Sequence, residues 1–133
     1  MTTALTRELE RLTHSGMQLA DPAADVRDRE VLDCDGHRVG TVADLLVEPD
    51  TGTVRLVQVE HGGGMFGIGR KSRLVPVEAL SHGDPRTVYV DRPRDEILAV
   101  DPYRPAEGDA EEEQYAAVYA AYGVTPYWSR AGG

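Results

Sequence analysis

Between Gly62 and Ser72 the chain carries two patterns that, in the right setting, hold phosphate groups. Gly62-Gly63-Gly64-Met65-Phe66-Gly67 fits G-x-G-x-x-G, the turn that sets a pyrophosphate on the N-terminus of a following helix. The residues after it, Leu74-Val75, read as a strand, so the helix this chemistry needs is missing and a turn between strands is the expectation. Gly69-Arg70-Lys71-Ser72 resembles the end of a P-loop, but there Lys follows Gly directly, whereas here Arg70 stands between Gly69 and Lys71. No nucleotide or other cofactor is expected.

The remaining reactive side chains are scattered. His14, His37, His61 and His82 have no metal-ligand spacing, and no metal is expected. His82 and Asp84 read as turn residues rather than a catalytic pair. Cys34 stands between Asp33 and Asp35, whose charges disfavour a thiolate, so a nucleophilic role is not expected. No triad and no acid–base pair emerges, and no catalytic residue is assigned. What the same loop does offer is contact chemistry: an apolar tip of Met65, Phe66 and Ile68 beside the basic Arg70, Lys71 and Arg73. That tip either meets a partner or packs back on its own fold, and RNA contact is a weaker use of the basic residues.

The elements that would position these residues fall into three zones. Residues 1–24 form an arm in which Leu5, Leu9 and Leu12 are spaced for a short amphipathic helix. Residues 25–103 are β-rich. Val31-Leu32 runs to the hairpin pair Asp35-Gly36, Val39 to Val47 makes a long strand with a bend expected at Gly40, and Pro49-Asp50-Thr51-Gly52 turns into Val54 to Glu60. Leu74-Val75 and Val88-Tyr89-Val90 follow, with Pro93 opening a short helix. Five or six short strands with frequent turns predict a mainly β barrel or sandwich. Residues 104–133 are a linker and an amphipathic helix over Ala110 to Tyr122, with Asp109 and Glu112 as a capping pair and Gly123 as its stop. Glu111, Glu112 and Glu113 are expected at a solvated start. Tyr115, Val118, Tyr119 and Tyr122 form one stripe, which either covers the barrel or pairs with a second copy, and Tyr127-Trp128 anchors in the same way.

The middle zone resembles the PRC-barrel family, whose barrel is shared by the cytoplasmic part of the reaction-centre H subunit and the C-terminal half of a ribosome maturation factor. The likeness runs from Val31-Leu32-Asp33 and Asp35-Gly36-His37-Arg38-Val39-Gly40-Thr41-Val42-Ala43-Asp44-Leu45-Leu46-Val47 through Asp50-Thr51-Gly52-Thr53-Val54 to Leu74-Val75-Pro76-Val77-Glu78-Ala79-Leu80. It implies a small PRC-type β-barrel of five to six strands with flanking N- and C-terminal helices, and a habit of binding proteins. Within that pattern Asp44 is expected to satisfy backbone donors near a turn. The family pattern specifies a fold and carries no catalytic constellation.

The chain has 133 residues, and its net charge of −9 disfavours phosphate backbones on average. The single cysteine fits a reducing compartment, the N-terminus does not read as a secretory signal, and no apolar run approaches the ~20 residues a membrane span needs, so a cytoplasmic site is expected. A barrel of roughly 75 residues is near the size at which one core supplies only ~3–5 kcal/mol, so docked helices or a second subunit would help cover it, and a homodimer is predicted. The expected function is a non-enzymatic protein–protein interaction module or adaptor. The candidate contact residues are Met65, Phe66, Ile68, Arg70, Lys71, Arg73, Tyr115, Tyr119, Tyr122 and Trp128. The alternatives are RNA binding related to ribosome maturation, or an assembly and electron-transfer accessory role like that of the H subunit.

Overall fold

The computed structural model describes residues 9–62 and 69–131. Alternating apolar residues make the strands, as period-two burial requires. In chain order they are β1 (Glu10–Arg11), β2 (Glu30–Leu32), β3 (Arg38–Val47), β4 (Val54–His61), β5 (Lys71–Pro76), β6 (Leu80–His82) and β7 (Thr87–Val90). One curled sheet holds them in the order β5-β4-β3-β2-β7-β6, with β1 paired to the far end of β3. The ladders are antiparallel except β2–β7, which is parallel. A 3-10 turn, Val77–Ala79, carries the chain from β5 to β6. One face of the sheet buries Val31, Val42, Leu45, Val57, Val59 and Val88, and the other buries Leu46, Leu56 and Leu74.

The register of β3 shifts beside Gly40, where Val31 faces Gly40 and Leu32 faces Arg38, and again against β4 between Val42 and Asp44. Gly40 also gives β4 room, since a Cβ there would collide with the Glu60 carbonyl oxygen. One local expectation is corrected. The Leu5-Leu9-Leu12 spacing does not make one helix over its described part. Leu9 leads into β1, whose Glu10 and Arg11 pair with Val47 and Leu46, and α1 (Leu12–Ser15) is a single turn ended by Gly16. That turn starts where it does because Asp44 Oδ1 accepts the Thr13 N–H at 3.1 Å and its hydroxyl at 3.0 Å. Asp44 therefore does satisfy a backbone donor, and it fastens the N-terminal arm to the barrel.

The C-terminal zone covers the sheet from within the same chain. Helix α2 (Arg94–Ala99) follows Pro93, and both α2 and α3 (Asp109–Tyr122) pack on β5. Gly123 closes α3 in the left-handed region, and Arg92 donates to the Tyr122 carbonyl at 2.6 Å while lying 5.5 Å from its ring centre. A cation at this end suits the helix dipole. The residue before α3 is Gly108, so Asp109 is the first helical residue and Gly108 takes the cap position expected of it. Helix α4 (Tyr127–Ala131) completes the cover. Among the described residues no helix is long and apolar enough to cross a membrane.

Candidate functional site

The groups that looked reactive are used up in turns. Asp33 is buried; its Oδ1 accepts the N–H groups of Asp35 and His37, and its Oδ2 that of Arg94. Burial opposes its ionisation, but these donors outweigh that and hold the carboxyl below its usual range. Asp33, Asp35 and His37 bring possible ligand atoms within 4.8 Å of one another, yet both Asp33 oxygens are already engaged, Oδ1 in the β2–β3 turn and Oδ2 at the first residue of α2. Asp84 accepts the Thr87 hydroxyl at 2.6 Å and the Arg86 N–H at 2.7 Å, which makes it a turn brace as well. The Cys34 thiol is pushed up by desolvation, with Asp35 and Asp33 adding to the effect.

The glycine-rich stretch joins β4 to β5, with His61 paired to Lys71. A strand follows it, and a helix does not. Met65, Phe66 and Ile68 lie outside the described residues. The basic residues after them do not form one patch. Arg70 pairs with Glu60 at 3.3 Å, Lys71 is exposed, and Arg73 is only 8% exposed. The Arg73 guanidinium reaches His61 Nε2 at 3.0 Å and donates to the Leu98 carbonyl at 3.2 Å. Since Arg73 only donates, His61 accepts here as the neutral imidazole. Its pKa is lowered by burial, then by Arg73, Lys71 and Arg94.

Tyr115, Tyr119 and Tyr122 are buried in the chain's own core, so a partner would meet them only after α3 had moved. Trp128 is half-buried, edge-on to Tyr127 at 5.1 Å and to Tyr119 at 5.8 Å, and Arg55 caps the same group 5.4 Å from the Tyr127 ring. Glu111 departs from its expected solvated place: it is 5% exposed and accepts the hydroxyls of Tyr103 at 2.6 Å and Tyr115 at 2.7 Å. Burial, then the Glu111 hydrogen bond, pushes the pKa of both tyrosines well up. The Tyr115 hydroxyl accepts the Leu9 N–H in turn, tying the arm to α3.

These bonds shape a feature that the motifs did not reveal. Arg73 pins the end of α2 at Leu98, and the strap that follows, residues 100–108, is pinned at Tyr103, whose N–H meets the Ser72 carbonyl at 2.8 Å. Farther along, Gln114 grips both the N–H and the carbonyl of Arg104, and Glu111 accepts the Ala106 N–H. Between the first two pins the strap stands away from α3, leaving a groove of about 390 Å³. Its floor is Leu74, Tyr103 and Val118. One wall is the strap, with Val100 and Pro102, and the other is the outward face of α3, with Ala110, Ala117 and Ala121. Asp101 and Glu113 supply its charges. The sequence signal was present in the alanines opposite the tyrosine stripe; the strap was not foreseeable from spacing.

No curated protein matches the chain. The PRC-barrel domain model matches residues 20–97, which takes in β2 to β7 and the start of α2 and stops before the strap and α3. On a curled, mainly β sheet and a match over more than half its length, the chain belongs to the PRC-barrel domain family.

Proposed function

We propose that the chain is a non-enzymatic protein-interaction module, an adaptor whose contact surface is the groove between α3 and the strap. The observation that supports this reading is an open, apolar-lined groove whose helix wall is built of exposed alanines, where a surface helix usually carries polar residues. The acids and the thiol that might have done chemistry act as turn braces or are held protonated. A free cysteine suits a reducing compartment, and we place the protein in the cytoplasm. A homodimer through this groove would set Asp101 and Glu113 of two copies against one another, which like-charge repulsion disfavours. The homodimer expected of so small a barrel would then use another face, and sedimentation at micromolar concentration tests it.

The test uses the full chain and Ala117→Arg as parallel baits, with mass spectrometry of what each retains. Ala117 is exposed, and Arg is a good helix former, so the fold should survive and a melting curve will check it. Proteins held by the parent chain and lost with Ala117→Arg support the reading. Identical sets would remove the groove as the contact surface.

A further inference from the structure

Resting on that reading, we infer that the groove takes an apolar segment of a partner flanked by Lys or Arg. The room sets the first term: a cavity of about 150 Å³ accepts one benzene-sized group, so about 390 Å³ admits roughly two aliphatic side chains. The alanine wall sets the second. With only a methyl group at Ala110, Ala117 and Ala121, a partner backbone can lie close along α3, as in helix-in-groove recognition.

Charge sets the third. The lining includes the carboxylates of Asp101 and Glu113 and no Lys or Arg. Two cations adjoin it without lining it: Arg73 donates to the Leu98 carbonyl and is drawn to the Asp101 carboxylate, and exposed Arg104 follows Tyr103, its main chain held by Gln114. The chain's net charge of −9 acts in the same direction at longer range, steering cations in. An apolar floor excludes water, and acidic rims select the flanks.

The probes are two synthetic peptides with the same two-leucine centre at i, i+4 spacing, one flanked by Lys and one by Glu. Binding is read from fluorescence anisotropy and from the methyl NMR shifts of Ala110, Ala117 and Ala121. The Lys-flanked peptide should bind, shift these methyl groups, and weaken at least tenfold between 50 and 500 mM salt, a range chosen because it shortens the screening length several-fold. Asp101→Lys with Glu113→Lys should lower its affinity at least tenfold and let the Glu-flanked peptide bind instead. Equal binding of both peptides, indifference to the charge reversal, shifts confined to another face, or self-association through Ala117 would each overturn the inference. If Ala117→Arg abolishes partner capture while charge reversal does not, the groove stands as the contact surface and only the basic character of its partner fails.

Discussion

Glu111→Ala should be the most damaging single change at the C-terminal helix outside the tyrosine stripe. The side chain is 5% exposed and accepts two tyrosine hydroxyls, at 2.6 and 2.7 Å, and the Ala106 N–H at 3.0 Å. Hydrogen bonds to a charged group contribute about 1.5–3 kcal/mol each, and donors left unpaired in the interior cost about 1–3. Removing a buried carboxylate also relieves its desolvation, which offsets several kcal/mol of that sum. The net loss should be about 3 kcal/mol, a large share of the ~5–15 kcal/mol that holds a domain together. At this chain length that lowers Tm by about 10 °C. Urea titration and calorimetry on the full chain measure it. Tyr103→Phe supplies the internal check: it should cost about 1.5 kcal/mol in the parent and almost nothing beside Glu111→Ala, because the hydroxyl has then lost its acceptor. The Leu9 amide should also exchange faster, since its own acceptor is the Tyr115 hydroxyl that Glu111 holds in place. A loss below about 1 kcal/mol, or additive changes within ~0.5 kcal/mol, would refute the claim that Glu111 is the hub of this network.

Gly40→Ala should destabilise by about 2–3 kcal/mol, because the new methyl group meets backbone of β4 that cannot swing aside; a urea midpoint matching that of the parent would disprove the close approach. Acid should weaken the fold through His61, whose folded pKa lies below the unfolded value near 6.5. Both states are neutral above that value, so the full stability is present there and falls as the pH drops below it, when the unfolded chain gains the proton first. His61→Gln, which still offers Arg73 an oxygen, should flatten stability between pH 7 and 5, and superimposable profiles for the two chains would contradict the His61–Arg73 contact.

What could be read from the sequence was local. Asp35-Gly36 and the Pro49 to Gly52 run carry their turn chemistry in their own residue types, and the Tyr115 to Tyr122 spacing carries a helix face, so hairpin and helix both stand where they were expected. What escaped depends on distant partners. β1 is two residues long and exists only because Val47 and Leu46 lie opposite, and β6 is three residues paired with β7. Arg73 looked like part of a basic surface because its neighbours are basic, yet it points inward, where the Leu98 carbonyl and His61 receive it. Glu111 is the instructive miss. It stands four residues before Tyr115 and seven before Val118, squarely on the apolar stripe, and its charge hid what its spacing said. A carboxylate on a buried stripe must find donors, and Tyr103, eight residues before it, and Tyr115, four after it, supply them. Pairing them also pulls the strap against α3 at Tyr103, while Arg73 holds the end of α2 at Leu98. The groove is the space between those two polar attachments, so its position follows from buried charge that has to be satisfied rather than from any apolar pattern.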